Sequence, residues 1–74
     1  MSTLYDYCKD GRTLMSLSVH AEHPTYGTGA ALLWDGFALY PIDRGMAVSY
    51  LRGWRWLARG GSQHNGVTLT RTRF

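Results

Sequence analysis

Three residues of zinc-ligating type lie in the N-terminal third of the chain: Cys8, His20 and His23. Zinc requires four protein ligands, or three and a water molecule, on side chains that converge. If His20 lies on a β-strand, His23 three positions later points to the opposite face unless Pro24 bends the chain first. His64 would have to reach such a site from a distant loop. The spacing therefore predicts no metal site.

Other catalytic and nucleotide-binding patterns are equally incomplete. A nucleophile pair of Cys8 and His20 would lie at opposite ends of a predicted hairpin, whereas the base must lie within hydrogen-bonding distance of the thiol. The glycines of residues 27–29 and 60–61 are not followed by the lysine and hydroxyl residue of a phosphate-binding loop. We therefore expect a protein that is not an enzyme, with no catalytic residues and no cofactor.

The charged residues are distributed unevenly along the 74-residue chain, whose net charge is +3. Residues 1–43 hold all five acidic residues and two basic ones, whereas residues 44–74 hold six arginines and no acid. Arginine binds carboxylates and phosphates through two parallel hydrogen bonds and stacks on aromatic rings, which lysine does less well. A solvated basic face is the simpler interpretation of this pattern, and a binding surface for an anionic partner is the alternative.

The arginines are concentrated around one tryptophan. On a helix, Trp56 would be flanked by arginines four residues before it, one before it and three after it. Large aromatic residues and arginines are enriched at protein-binding hot spots, and they also stack on and neutralise nucleic acids. The structural alternative is that Trp56 packs beneath the polar loop at residues 62–66. The predicted binding residues are Arg52, Arg55, Trp56, Arg59, Arg71 and Arg73.

Two Asp-Gly dipeptides predict the turns of two β-hairpins, because both central residues of a type I′ turn need a positive φ. The dipeptide at 10–11 separates residues 3–9 from an alternating run at 13–19, and the dipeptide at 35–36 separates residues 32–34 from 37–40. Residues 3–9 are predicted as a strand. A short helix over the same residues is the alternative, since Thr3 and Asp6 have the spacing of an N-terminal cap.

After Pro41 the hydrophobic period changes to that of a helix. Asp43 is the predicted N-cap, Gly60-Gly61 is the stop signal, and residues 44–58 between them make about four turns. Residues 67–73 then form a last strand rich in β-branched residues. The order predicts one α+β domain over residues 1–74: a small antiparallel sheet of four to five strands with one amphipathic helix packed on it, in the order ββββαβ.

The central hairpin is apolar on both faces. A two-residue turn at 35–36 places Leu32, Trp34, Phe37 and Leu39 on one face and Ala31, Leu33, Ala38 and Tyr40 on the other. One helix covers only one face of a sheet, so the second face either packs against loops or forms an interface with another chain. We predict a homodimer whose interface residues are Ala31, Leu33 and Tyr40.

Two functions fit these features. The first is a protein-interaction module whose basic face binds an acidic protein surface or a nucleic-acid-handling complex, and in size and form it is similar to phage-encoded inhibitors of host machinery. The second is a nucleic-acid-binding domain that uses the same arginines, with Trp56 or the pair Tyr5 and Tyr7 stacking on bases. We favour the first because a net charge of +3 is modest for a chain that holds a polyanion at physiological salt.

Cysteine content and hydropathy indicate the cellular location of the protein. One cysteine excludes an intrachain disulfide, which small secreted domains usually need. The N-terminus lacks the basic and apolar segments of a secretion signal, and the longest apolar run, residues 30–34, is far too short to span a membrane. We expect a cytoplasmic protein without a membrane partner.

Overall fold

The structure is a computed structural model that describes residues 1–61 and 66–74. One helix and seven strands occur in this part of the chain. The strands are β1 (Ser2–Lys9), β2 (Arg12–His20), β3 (Glu22–His23), β4 (Gly27–Thr28), β5 (Ala31–Trp34), β6 (Leu39–Ile42) and β7 (Val67–Arg73), and the helix α1 (Arg44–Ala58) lies between β6 and β7.

Five of these strands form one antiparallel sheet in the order β6-β5-β2-β1-β7, and β3 pairs with β4 separately. This confirms the predicted α+β class and the order of its elements. Because each neighbouring pair is antiparallel, the two edge strands β6 and β7 run in the same direction. Helix α1 must therefore cross the sheet from one edge to the other.

The first hairpin turns as its sequence predicts. Asp10 and Gly11 have φ values of 53° and 78°, and Lys9 pairs directly with Arg12. These positive values fit the predicted type I′ turn, and the segment before it is a strand rather than a short helix. A bulge at Leu14, which the alternating pattern did not reveal, shifts the register between the two strands.

The second hairpin differs from the prediction. Trp34 pairs with Leu39, so the connection is a loop of four residues, 35–38, instead of a two-residue turn. Asp35 is the cause, because its carboxylate accepts hydrogen bonds from the backbone N–H groups of Phe37 and Ala38, both at 2.9 Å. Phe37 leaves the sheet and is 97% exposed. Ala38 also lies in the loop instead of on its predicted face. The register moves by two residues, so the residues that are in β5 and β6 keep their predicted faces.

The helix begins and ends where the sequence predicts. The Asp43 carboxylate accepts a hydrogen bond of 2.8 Å from the Met46 N–H, which satisfies one of the unpaired donors of the first turn. After Arg59, Gly60 adopts a φ of 88° and donates to the Leu57 carbonyl. No helix in the described ranges is long and apolar enough to cross a bilayer.

The core lies between α1 and one face of the sheet. Leu17 and Leu33 are completely buried there, beneath Ala47 and Trp54 of the helix. Trp54 packs against Tyr7 of β1 and against Tyr50 in tilted ring contacts, with centroids 5.5 and 5.9 Å apart.

This packing corrects the predicted dimer interface. Leu33 has no exposed surface and Ala31 only 6%, because the chain's own helix covers both. Tyr40 alone of the three residues is exposed, at 37%. Alternation could not reveal this, since both faces of the hairpin are apolar and either one could have received the helix.

The opposite face of the sheet is the open face. Leu32 and Trp34 of β5 and Leu39 of β6 alternate onto it with Leu4 and Asp6 of β1. Leu32 is buried there, but Leu39 is 60% exposed beside the loop that carries Phe37. The unpartnered apolar surface therefore lies at the β5–β6 corner of the open face.

Candidate binding surface

The helix divides the predicted binding residues from the core. With about 100° per residue, Arg55 lies about 100° from the buried Trp54, and Arg59 and Arg52 lie about 140° and 160° from it in the same direction. All three arginines are exposed. The N-terminal half of the helix carries only Arg44 in addition, so the basic residues concentrate in its last two turns.

The last strand adds two arginines on the same side of the molecule. Leu69 of β7 pairs with Tyr7, which contacts Trp54, so Leu69 faces the helix. Side chains two residues apart share a face of a strand, and Arg71 and Arg73 therefore lie on the helix side as well. Both are exposed.

The path of the helix leaves this part of the sheet uncovered. Its first half packs near Val19 and Ala31, at the ends of β2 and β5, where residues 44–51 border a cavity of about 160 Å³. Its second half lies over Tyr7 and the beginning of β7. A diagonal path of this kind leaves the end of β7 with Arg71 and Arg73 free of the helix.

The two flanks of the helix face different corners of the sheet. Val48 and Leu51, on the same side of the helix as Arg55, border the cavity beside Val19 and Ala31. Tyr50, on the other side, acts on Tyr40 of β6: partial burial, the Asp35 carboxylate and Tyr50 raise the pKa of the Tyr40 phenol above its ordinary 10.0. Arg55 lies on the other side of Trp54 from Tyr50. The arginine flank therefore faces away from β6, toward the corner formed by β1 and β7. We call the arginines of this side the basic face: Arg52, Arg55, Arg59, Arg71 and Arg73.

Most of the acidic residues have structural partners outside the basic face. Asp6 accepts a hydrogen bond of 2.5 Å from Ser16 on the open face. Asp35 closes its loop, where the N–H groups of Ala38 and Phe37 hold its pKa below the ordinary 3.8. Asp43 caps the helix, and Asp10 forms the first turn. Among residues 1–61 and 66–74, the side-chain hydrogen bonds found involve none of the guanidinium groups.

Trp56 borders the basic face and is 55% exposed. Its indole lies against Gly61, where an added Cβ would come within 2.7 Å of Cε3 of the ring. One part of Trp56 is therefore fixed by the chain and the other is open to solvent. The proposed cover by residues 62–66 falls, apart from Gly66, outside the described residues.

The other flank of the helix carries a feature that the sequence analysis missed. Gly45, Ser49 and Gly53, four residues apart, leave an open hollow of about 670 Å³ beside Met46 and Tyr50. The spacing of the small residues was visible in the sequence. The charge pattern gives no signal for it, because none of the described residues that line the hollow is charged.

The histidines lie closer together than the alternation of a strand predicts. β2 ends at His20, the chain bends at Ala21, and the rings of His20 and His23 meet edge to face at 4.9 Å. Nδ1 of His23 accepts hydrogen bonds from the backbone N–H groups of Thr25 and Tyr26. This ring nitrogen therefore stabilises the turn between β3 and β4. No metal-binding group is found in the described residues. His64 lies outside them.

Comparisons with known family models, with curated proteins and with solved structures found no match to this chain.

Proposed function

We propose that this protein is a non-enzymatic interaction module whose basic face binds an acidic protein surface. The observation that carries the proposal is the convergence of exposed arginines from α1 and β7 on one side of the sheet, while the carboxylates of Asp6, Asp35 and Asp43, three of the five, hold hydrogen bonds elsewhere. Such binding acts by occupying the partner's surface, as an inhibitor does. The single cysteine supports action in the reducing cytoplasm.

Fold stability does not explain the basic face. Arg55 and Arg59 lie near the C-terminus of the helix, where a positive charge is worth roughly 0.3–1 kcal/mol. That effect falls off within one turn and does not extend to Arg71 or Arg73 on the strand. Guanidinium groups bind carboxylates through paired hydrogen bonds. Arginines together with a half-exposed tryptophan are also the residue types enriched at binding hot spots.

Nucleic acid is the second candidate ligand, and the register of β1 with β7 favours it. Tyr5 pairs with Arg71 on the helix side, which puts an aromatic ring beside a phosphate-binding group. We place it second because the net charge of the chain is only +3, which is modest for binding a polyanion.

Capture of partners from a lysate of the source cell, with and without nuclease, separates the two ligands. A protein retained after nuclease treatment, bound by wild type and by Arg12→Glu but lost with Arg55→Glu, supports the interaction module. Arg12 lies at the β1–β2 turn and supplies the matched change of charge. Loss of every partner after nuclease would contradict the proposal and favour nucleic acid.

We also propose that two copies associate through the open face. The exposed Leu39 and Phe37 and the half-exposed Trp34 support this site in place of the buried Leu33. Light scattering over a range of concentrations should show a dimer for wild type and a folded monomer for Leu39→Asp. A wild-type monomer at the highest concentration would exclude this association.

A further inference from the structure

Strand β7 is an edge strand of the sheet, and only half of its backbone groups point toward β1. Gly66 accepts a hydrogen bond from the Asp10 N–H, and Phe74 donates one to the Ser2 carbonyl, so the even-numbered residues of this segment bond to β1. In an antiparallel pair the backbone groups of alternate residues point away from the partner strand. Val67, Leu69, Arg71 and Arg73 therefore direct their N–H and C=O groups outward, and within residues 1–61 and 66–74 no strand pairs with them.

The side chains along this edge are charged on one face only. Arg71 and Arg73 lie on the helix side, opposite Tyr5 and Thr3, whereas threonines occupy the other face at 68, 70 and 72. Charges on an edge strand ordinarily prevent unwanted pairing. In a full antiparallel overlap of two copies of β7, Arg71 and Arg73 would lie opposite Leu69 and Val67 of the second copy. Self-pairing would therefore leave both guanidinium groups without an acidic partner. An acidic strand would instead place its carboxylates beside Arg71 and Arg73, the two charged residues of this face.

We propose that β7 accepts an extended acidic segment of the partner protein as a sixth strand, with acidic side chains at alternate positions facing Arg71 and Arg73. The backbone groups of four residues supply the hydrogen bonds, and the arginines select the charge pattern. The adjoining arginine flank of α1 extends the same positive potential above the added strand. This mode of binding rests on the proposed function and names the form that the partner takes.

Hydrogen exchange measured by NMR tests the pairing directly. The probe is a synthetic eight-residue peptide that alternates Glu with Thr, and the control is a peptide of the same composition with its glutamates in one block. In the free protein the amides of Thr68, Thr70 and Thr72 should be protected while those of Leu69 and Arg71 exchange. The alternating peptide should slow exchange at Leu69 and Arg71 by about tenfold or more and bind about tenfold more tightly than the block peptide.

A pair of variants separates the backbone donor from the charge. Arg71→Pro removes the outward N–H together with the guanidinium, whereas Arg71→Val removes the guanidinium alone, and proline is tolerated on an edge strand where the N–H is unpaired. Arg71→Pro should bind the alternating peptide several-fold more weakly than Arg71→Val. If the proline variant unfolds, N-methylation of alternate peptide amides replaces it, and one of the two methylated sets should abolish binding while the other is tolerated.

The outcomes distinguish this inference from the proposed function. Equal binding of the alternating and block peptides, or unchanged exchange at Leu69 and Arg71, would overturn strand addition. If nuclease-resistant capture persists in that case, the interaction module stands and its partner binds in another form. If capture also fails, both proposals fall together.

Discussion

The two tryptophans of α1 lie two residues apart and have opposite environments. Trp54 is 5% exposed and packs among Tyr7, Tyr50 and the buried sheet residues, whereas Trp56 is 55% exposed beside the arginines. The reason is geometric, since two residues correspond to about 200° around a helix. The inner arc of the helix, around Trp54, therefore stabilises the fold. The outer arc, around Trp56 and the arginines, is exposed and free to contact a partner.

The largest effect is expected on the inner arc. Trp54→Ala removes a buried aromatic side chain, which typically costs about 3–5 kcal/mol, comparable to the whole stability of a small domain. Circular dichroism should show a chain that is unfolded or barely folded at room temperature. A cooperative transition close to that of wild type would mean that the core does not depend on this helix.

Trp56→Ala should have the opposite profile. Its removal should lower the free energy of unfolding by about 1 kcal/mol or less, because much of the ring is already in water. It should weaken partner binding by about 2 kcal/mol, roughly thirtyfold, which is the threshold for a hot spot. Chemical denaturation and titration calorimetry measure the two quantities. A loss of stability equal to that of Trp54→Ala would show that both sides of the helix are structural.

Gly61→Ala tests how the outer tryptophan is held. The added methyl group would overlap the indole of Trp56, so the ring must move away from its present position. Because the ring has solvent beside it, we expect a cost of about 1 kcal/mol in stability, at the low end of overpacking effects. Partner binding should weaken along with it. Unchanged binding together with an unchanged Trp56 fluorescence spectrum would show that Gly61 does not position the ring.

The smallest expected effect is a change in the quenching of tryptophan fluorescence by iodide, which reports directly on the exposure of each indole. Iodide reaches exposed indoles only, and nearby arginines raise its local concentration around Trp56. Trp56→Phe should remove most of the quenching, whereas Trp54→Phe should remove little of it. Trp34, half-buried on the open face, supplies the remaining signal. Equal losses in the two variants would contradict the division of the helix.

Local sequence signals predicted the elements well wherever one residue decides the geometry. Asp43 and Gly60 set the ends of α1, and the positive φ of Asp10-Gly11 set the first turn. Asp35-Gly36 has the same sequence but forms a longer loop. Asp35 does not adopt the positive φ of a type I′ turn; its carboxylate instead accepts hydrogen bonds from two backbone N–H groups.

The packing of one element against another was harder to predict. The alternation in β5 did not decide which apolar face receives the helix, and this error produced the incorrect dimer residues Ala31 and Leu33. For the candidate site, the period of the helix predicted the exposure of Arg52, Arg55 and Arg59 correctly. That Arg71 and Arg73 lie on the same side required the pairing of β7 with β1, which no local pattern encodes.

Reversing Arg52, Arg55 and Arg59 together to Glu, with binding and thermal unfolding measured on the same sample, tests the separation of binding from folding most directly. Arg55 and Arg59 lie near the C-terminus of α1, where each charge contributes roughly 0.3–1 kcal/mol. The triple variant should therefore stay folded and melt roughly 5–10 °C below the control Arg12→Glu, a loss far smaller than that expected of Trp54→Ala. Binding of the nuclease-resistant partner should be abolished in the triple variant and retained in the control. Binding that persists in a folded triple variant would contradict the assignment of function to the basic face.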